Sequence, residues 1–499
     1  MSTEESLPTR PSRRRLLRRI EQAALAPHDG AALAAFRVLF GLLVIASAVR
    51  FVAYGWVDFF FVEPGFRFTY FGFGFVPRLP PPYIHGVFVV LAVLGAMVSL
   101  GLFYRVAMAL LIVGFGYVQL IDVTTYLNHY YLVCLLAGLL LVLPANRVFS
   151  LDAWRRPGSR VKTVPAWTTW LLRFQVAVVY VFAGLAKATS DWLVHAQPLN
   201  IWLSARTEMP VFGPLFGTRA AAYAASWAGF LFDTTVVVFL AWRRSRPFAY
   251  VAVLLFHAGT LYLFPIGMFP FIMVTAALVF FSPSWPRVMI GKLFRLWPAR
   301  REPANRAPIA AAGSAVPTAA QLDGLAARRL PRLGVAAVGI YALAQVAVPL
   351  RGFAYGGNVL WHEQGMRFSW RVMAREKNGT VEFNVRDPRA GREWILSPSQ
   401  YLNRLQEREM SVQPDLILQL AHHIQKDFQR RGHPDVEVRA DAWVSLNGRA
   451  PARLIDPTVN LAEVRDGLAS KSWILPAPGT PPIHLRPLAR SSDTSEATR

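Results

Sequence analysis

The 499-residue sequence contains a single cysteine, Cys134, and only six lysines among its 53 basic residues. A lone cysteine excludes an intrachain disulfide, so a small disulfide-stabilised secreted domain is ruled out. Charged residues make up 17% of the chain and hydrophobic residues 54%, whereas roughly a quarter of an average soluble domain is charged. The shortage of charge therefore argues against a soluble protein.

Common enzyme motifs are also missing. The sequence has no glycine-rich nucleotide-binding loop, no Cys/His metal spacing and no G-x-S-x-G elbow, so nothing in it indicates a metal site. The net charge of +23 raises the question of nucleic acid. The basic residues, however, cluster between hydrophobic runs, and we expect no nucleic-acid partner.

Long apolar runs recur through the first 350 residues, and runs of about 20 residues are typical of membrane-spanning helices. We predict a polytopic α-helical membrane protein with about nine spans and a small C-terminal extracytoplasmic α+β domain. The basic loops fall on one side of this arrangement, which the positive-inside rule assigns to the cytoplasm. The predicted spans are 33–53, 83–103, 106–121, 129–145, 167–187, 225–242, 247–264, 266–282 and 333–350.

The composition changes along the chain and divides it into four regions. Residues 1–32 are Arg-rich and predict a basic cytoplasmic leader, and 33–350 predict the helical bundle, with an Ala/Pro-rich cytoplasmic linker at 303–327. Residues 351–475 predict the extracytoplasmic domain, and 476–499 a disordered tail. We expect a multi-pass protein of the inner (cytoplasmic) membrane.

Two stretches of the third region alternate polar and apolar residues, as half-buried strands do. They are 380–386 and 436–446, and the segments 398–409 and 413–431 between them predict helices. This mixture of strands and helices is the reason for expecting an α+β domain.

Lys187 is the only lysine within an apolar run, at the end of FQVAVVYVFAGLAK. One reading is an anchor whose flexible stem reaches the headgroups. The other is a catalytic amine, because a lysine can lose its proton when it is removed from water, whereas an arginine does not. Basic anchors elsewhere in the chain are almost all arginine, which favours the catalytic reading.

Other polar residues lie close to or within the predicted spans. Asn128 and His129 could hydrogen-bond a quinone or phenolate oxygen, or belong to an interfacial aromatic belt. His257 lies inside the seventh span, where it either serves function or bonds a neighbouring helix. For Arg37 we expect structural pairing, for example with Asp122 or Asp233, rather than chemistry.

A fourth cluster lies in the extracytoplasmic region and mixes aromatic and cationic groups. It runs from Trp361 to Lys377 and includes RFSWRVM at 367–373. Such a surface suits an acidic peptide or a carboxylate, and a solvated strand edge is an equally good explanation.

Seven stretches of the sequence, in order, resemble the vitamin K-dependent gamma-carboxylase family, including its bacterial members with the horizontally transferred transmembrane domain. The similarity runs from about residue 33 to 475. The stretches are FRVLFG (36–41), YLNHYYL (126–132), LLRFQVAVVYVFAGLAKATSDW (171–192), FHAGTLYLFPIGMF (256–269), SPSWPR (282–287), GMRFSWRVM (365–373) and AWVSLNGR…LIDP (442–457).

The resemblance implies a coupled reaction on a vitamin K hydroquinone, with O₂ and CO₂ as co-substrates. A lysine deprotonates the reduced vitamin K, which reacts with dioxygen to give the epoxide. The strongly basic species that forms removes a γ-proton from a peptide or protein glutamate, and CO₂ adds to give γ-carboxyglutamate. Menaquinol, the common bacterial naphthoquinol, is a candidate for the quinol. The implied partners are this quinol, membrane lipid and a glutamate-containing peptide or protein.

The family's functional positions carry over residue by residue. Lys187 matches the essential base, and His129 joins it as a catalytic candidate. The implied quinol-binding residues are Asn128, His129, His257 and Tyr180; Tyr180 precedes Lys187 by seven residues and shares its helical face. The implied substrate-binding residues are Phe368, Ser369, Trp370 and Arg375.

The sequence also departs from the family. Animal members have an extracytoplasmic disulfide that a chain with only Cys134 cannot form, and Arg375 stands where they have a histidine. Two alternatives therefore stay open: a quinol-dependent epoxidase or oxidoreductase without carboxylation, and a non-catalytic membrane binding protein.

Overall fold

The computed structural model describes residues 13–296 and 332–484. The first twelve residues of the predicted leader, the whole predicted linker at 303–327, and the part of the predicted tail after residue 484 lie outside the described residues. Residues 476–484 have no regular secondary structure, and the carbonyl of Ile483 accepts a hydrogen bond from the Gln197 side chain at 2.8 Å. The predicted domain boundaries stay predictions.

The chain is mostly helical as far as residue 350. Long apolar runs form helices because their backbone groups are satisfied within the segment. The helices in this part are α1 Arg13–Leu25, α2 Ala31–Ala53, α3 Pro81–Leu100, α4 Tyr104–Ile121, α5 Asn128–Val142, α6 Leu151–Arg155, α7 Ala166–Lys187, α8 Ser190–Leu193, α9 Leu199–Ser204, α10 Gly213–Phe216, α11 Arg219–Ala241, α12 Arg246–Leu263, α13 Phe269–Ala277, α14 Trp285–Leu296 and α15 Arg332–Leu350. Two short strands, β1 Pro27–Asp29 and β2 Thr163–Pro165, pair antiparallel.

Seven of these helices, within the part of the chain that the structure describes, are long and apolar enough to cross a membrane. They correspond to seven of the nine predicted spans. The predicted fourth span is the 15-residue helix α5, which ends at Val142 because Leu143 precedes Pro144 and adopts an extended backbone. The predicted eighth span is broken: its helix is followed by α14 after a bend of 102°. The count is seven, or eight if the bent pair is one span, so nine stays a prediction.

The C-terminal part is a small α+β unit built on an antiparallel sheet. Its helices are α16 Val359–His362, α17 Arg404–Met410 and α18 Pro414–Arg430, and its strands are β3 Lys377–Asp387, β4 Arg392–Leu396, β5 Glu437–Leu446 and β6 Ala452–Arg453, in the order β4-β3-β5-β6. Every second residue of β5 is buried, from Val438 to Leu446, and α18 covers this face with an apolar stripe. Both predicted strands are therefore confirmed, with slightly different ends.

This unit docks on one end of the helical bundle through hydrogen bonds to interhelical loops. The Gln406 side chain bonds the Phe66 carbonyl and the Asp122 carboxylate, each at 2.8 Å. On the other side of the unit, Arg449 makes two bonds to Asp191, at 2.6 and 2.7 Å. These loops are the ones that the charge pattern assigns to the extracytoplasmic side.

Arg37 lies at the opposite end of the bundle, and its predicted pairing is wrong. Its guanidinium donates to four backbone carbonyls, those of Ala145, Val148, Ser99 and Phe149. Carbonyl groups left free where helices and loops end can satisfy a buried guanidinium without a carboxylate. Asp122 and Asp233 lie elsewhere, and each has another partner.

Candidate functional site

Lys187 is the last residue of α7, and the local sequence explains why the helix ends there. The helix begins after Pro165, and its last three turns are apolar apart from Tyr180 and Lys187. The backbone then leaves the helix at Ala188, and the Thr189 hydroxyl accepts a hydrogen bond from the Trp192 amide to cap the short helix α8. The lysine side chain is thus fixed between two helices rather than extended toward solvent.

Three acceptors surround the Lys187 amine. Its Nζ lies 2.8 Å from Oδ2 of Asp233, and 3.2 Å from each of the carbonyl oxygens of Ala183 and Val372. The ring of Trp192 lies 5.2 Å from Nζ. An ammonium group has three N–H donors, so all three are used, and the reading of Lys187 as a surface anchor does not fit this burial.

The Lys187–Asp233 pair lies on the wall of a cavity of about 270 Å³ between α7, α11 and α12. Most of the remaining wall is apolar. Among the described residues, Lys187 is the only lysine or arginine that lines it. The other residues that line this cavity include Val179, Tyr180, Ala183, Trp192, Gly229, His257, Gly259, Phe269, Val372 and Met373. A few polar groups in a mostly apolar wall are the usual composition of a site that orients a small ligand.

A second polar pair lies on the same wall. The Tyr180 hydroxyl lies 3.1 Å from Nε2 of His257, and this histidine is only 2% exposed. The other ring nitrogen of His257, Nδ1, is buried with no hydrogen-bond partner among the described residues. A buried polar atom without a partner costs free energy, so Nδ1 is an unsatisfied hydrogen-bonding group beside the cavity.

Asn128 and His129 begin helix α5 and lie outside the described lining of this cavity. The His129 ring is buried against Tyr130 and Phe269, with ring centroids 4.5 and 6.0 Å apart. Phe269 also contacts the His257 ring at 5.8 Å and lines the cavity. The Phe269 ring therefore separates His129 from the Lys187 cavity.

A second cavity, of about 620 Å³, lies between the bundle and the C-terminal unit. The Phe368 ring lines it and packs edge-on against Tyr126 and Tyr131. The Phe368 amide donates to the Tyr126 hydroxyl at 2.7 Å, and that hydroxyl donates to Asn128 at 3.0 Å. Burial raises the pKa of the Tyr126 hydroxyl, so the hydroxyl stays protonated and can make both hydrogen bonds.

The segment 367–373 forms the partition between the two cavities. Arg367 and Phe368 line the outer one, and Val372 and Met373 line the Lys187 cavity. Phe368, Trp370 and Met373 all have positive φ angles, of 61°, 58° and 49°. Three such angles at residues other than glycine within six positions store strain, which the surrounding contacts must hold in place.

Ser369 and Trp370 are buried within this partition rather than exposed on a cavity wall. The Ser369 hydroxyl bonds the Met366 carbonyl, and the Trp370 ring stacks on Tyr131 at 4.9 Å. Arg375 forms an ion pair with Glu363 at 2.9 Å and lines neither cavity. Of the predicted substrate residues, only Phe368 thus faces one of these two chambers.

Sequence reasoning missed three groups at the site. Asp233 was considered only as a partner for Arg37, although an acidic residue in the middle of an apolar span signals a buried partner. The sequence pattern assigned no role to Trp192. The contact with the Val372 carbonyl could not be predicted, because a backbone contact between distant segments leaves no pattern in the sequence.

Comparison with known families gives two matches that together cover most of the chain. Residues 25–285 match the HTTM domain, and residues 330–480 match the lumenal domain of vitamin K-dependent gamma-carboxylase. No solved structure matches the chain. The first match contains Lys187, Asp233 and His257, and the second contains the partition segment.

Proposed function

Because the chain belongs to the vitamin K-dependent gamma-carboxylase family, we propose that it couples oxygenation of a naphthohydroquinone to carboxylation of a glutamate side chain, with Lys187 as the base. The observation that carries this proposal is the buried Lys187–Asp233 pair on the wall of an apolar cavity. The family and the apolar helices support a multi-pass membrane protein with an extracytoplasmic C-terminal domain. The inner membrane as its location is part of the proposal.

The described residues fit a hydroquinone. The cavity is apolar apart from its two polar pairs, and Nδ1 of His257 is buried without a partner. His257 and Tyr180 would hold the quinol, with the histidine bonding a quinol oxygen. When bound, the hydroquinone supplies the electrons that dioxygen chemistry requires.

Lys187 must first give up a proton before it can act as a base, because all three of its N–H groups are engaged. Asp233 provides the route: its Oδ2 takes a proton from Nζ along the 2.8 Å hydrogen bond. An amine beside a neutral carboxyl group carries no net separation of charge, which an apolar cavity tolerates better than two ions. The freed Nζ lone pair can then accept a proton from the substrate.

The walls of the site also protect the reaction. The apolar lining excludes water, which would otherwise reprotonate a carbanion before CO₂ arrives. The partition segment separates this chamber from the wider outer cavity, where a peptide would approach. Asn128 is linked to that segment through Tyr126, so we propose a positioning role for it, and His129 stays a candidate behind Phe269.

The second candidate is a quinol-dependent epoxidase or oxidoreductase without carboxylation. Two observations favour it: Arg375 is held by Glu363, and Lys187 is the only lysine or arginine in the described lining of its cavity. A glutamate carboxylate would thus meet no unpaired cation there. The substrate carboxylate would instead have to be bound from the outer cavity.

One experiment separates these possibilities. Purified protein in nanodiscs receives reduced vitamin K, O₂, labelled bicarbonate and a short glutamate-containing peptide, and both epoxide and fixed label are measured. We expect both products from the wild type and a loss of about 10²–10⁴-fold in Lys187→Ala. Lys426→Ala, an exposed lysine of the C-terminal unit, is the matched control and should be unaffected.

Each result has a clear meaning. Epoxide without fixed label would support the second candidate. Unchanged turnover in Lys187→Ala would remove the base assignment. If the wild type makes neither product with several quinols and acceptors, the proposed reaction is wrong, and only the family membership remains.

A further inference from the structure

A third cavity, of about 320 Å³, lies at the end of the bundle that the charge pattern assigns to the cytoplasm. Three cationic side chains line it: Arg160, Lys162 and Arg287. Within the described part of the chain, no acidic side chain lines it. The remaining wall is apolar and consists of Val148, Phe149 and Val161. The cavity is therefore strongly positive, and it belongs to neither of the chambers on the Lys187 side.

Most of this positive charge is not neutralised. Among the described residues, neither Arg160 nor Lys162 has an ion pair or a side-chain hydrogen bond. Arg287 is paired: its Nε lies 3.0 and 2.8 Å from the two carboxylate oxygens of Asp29. Three cations with one neighbouring carboxylate leave two positive charges, and an anion is the ligand that such a cavity suits.

Backbone contacts hold the cationic loop in place. The Arg147 carbonyl accepts a hydrogen bond from the Val161 amide at 3.3 Å, and the Lys162 carbonyl accepts one from the Gly30 amide at 3.0 Å. The guanidinium carbon of Arg287 lies 4.9 Å from the centre of the Phe149 ring. The loop backbone and the guanidinium are thus fixed without a bound anion, which lowers the entropy cost of binding one.

The surroundings of this cavity are typical of a membrane–water interface. Helix α14, which carries Arg287, turns by 102° from the helix before it. It therefore lies across the end of the bundle, and its exposed apolar side chains are Val288, Met289, Ile290 and Leu293. Leu151 and Trp154 of the neighbouring loop are exposed as well. Apolar and tryptophan side chains beside basic ones occupy the level of the lipid headgroups.

We propose that this cavity binds the phosphate of an anionic phospholipid, whose acyl chains lie against the exposed apolar side chains of α14. Basic pockets on the cytoplasmic side of membrane helices bind anionic headgroups, and guanidinium and ammonium groups both complement phosphate oxygens. A free phosphate ion shares this chemistry but would leave the apolar side chains uncovered. The site is independent of the reaction proposed for Lys187.

The first test is native mass spectrometry of the full chain, stripped of lipid in detergent. The protein is titrated with phosphatidylglycerol, or with phosphatidylcholine that has the same acyl chains. We expect a tight first phosphatidylglycerol adduct that phosphatidylcholine does not form. Arg160→Gln/Lys162→Gln should weaken it about 30-fold, which corresponds to roughly 1 kcal/mol for each cation. Arg287 is kept, because its loss would leave Asp29 without a partner.

Arg243→Gln/Arg244→Gln is the matched control. These two arginines are exposed, lie in another loop that the charge pattern assigns to the cytoplasm, and carry the same total charge. This variant should bind phosphatidylglycerol as the wild type does. An equal loss in both double variants would indicate general attraction and overturn the site. Displacement of the lipid by an equal concentration of inorganic phosphate would overturn the lipid as the occupant.

Hydrogen exchange then localises the ligand on the wild type alone, so this test does not depend on how a variant folds. The full chain is compared in nanodiscs of phosphatidylcholine with and without phosphatidylglycerol. We expect slower amide exchange at 147–163 and 284–293 when phosphatidylglycerol is present, because binding suppresses local opening. Exchange that slows only in other loops, or nowhere, would overturn the proposal.

Discussion

Asp233 approaches Lys187 between α7 and α11, with Oδ2 2.8 Å from Nζ and both side chains less than one-tenth exposed. Gly184 makes this approach possible. A Cβ atom at that position would lie 2.6 Å from a methyl carbon of Thr234 and 3.0 Å from its backbone nitrogen. The pair thus depends on a close helix contact one turn before the lysine.

Removing one member of this pair should destabilise the protein. Asp233→Leu leaves an ammonium buried without its counter-ion, which costs about 3–5 kcal/mol. The double variant Lys187→Met/Asp233→Leu removes both charges and should recover most of that loss. Thermal unfolding in nanodiscs, together with the epoxide assay, measures both effects, and the double variant should be stable but inactive.

A double-mutant cycle compares Lys187→Met, Asp233→Leu and the double variant. If the losses of stability in the two single variants simply added up in the double variant, the prediction would be contradicted, because coupled residues should give a large interaction energy. Asp233→Glu is the conservative test of position. It keeps the charge, so near-normal stability with reduced turnover would indicate that the exact place of the carboxylate matters for proton transfer.

Tyr180→Phe removes the hydrogen-bond partner of His257 Nε2. Losing one such bond costs about 0.5–1.5 kcal/mol, and we expect the KM for hydroquinone to rise roughly 2–10-fold because the imidazole loses its orientation. Tyr104→Phe is the matched control: it loses a buried bond to the Leu140 carbonyl far from the cavity. Steady-state kinetics should separate the two variants, and equal KM values would reject a quinol-orienting role for Tyr180.

The contact between Asp191 and Arg449 predicts acid sensitivity. Burial opposes ionisation of this carboxyl, but hydrogen bonds from Arg449 and Asn447 outweigh it and hold its pKa below the usual value. The stabilisation is therefore present above the ordinary aspartate pKa of about 3.9 and is lost as the pH falls through the lower folded value. Wild type should lose Tm more steeply below about pH 4 than Arg449→Met, and parallel curves would contradict this.

Because of Lys377, we expect the protein to become more stable as the pH rises into the alkaline range. Burial lowers its pKa to about 8, so between that value and the ordinary lysine pKa of about 10.4 only the unfolded chain holds the proton. The free energy of unfolding should rise with pH across this window, by at most about 1.4 kcal/mol per pH unit. The rise should vanish in Lys377→Met and persist in Lys426→Met, which changes an exposed lysine. A wild-type profile matching that of Lys377→Met would count against the prediction.

The parts of the fold that are encoded locally could be predicted from the sequence. Apolar length located the long helices, and period-two alternation located β3 and β5, because both signals depend only on neighbouring residues. The fourth span shows the limit of this approach. Its apolar run continues past Val142, but Pro144 ends the helix before it reaches spanning length.

The site could be predicted only in part. Lys187 stood out as a lysine in a chain that otherwise uses arginine, and Tyr180 followed from helical spacing. Asp233 was assigned to the wrong cation, because spacing within one helix does not say which helices touch.

The partition segment has a consequence for how the two chambers communicate. Phe368 and Val372 are four residues apart, yet one faces the outer cavity and the other holds the Lys187 ammonium. If a peptide in the outer cavity displaced the Phe368 ring and the backbone of this segment moved with it, the carbonyl of Val372 would shift as well. Lys187 would then lose one of its three hydrogen-bond acceptors, and binding in the outer cavity would change the surroundings of the base.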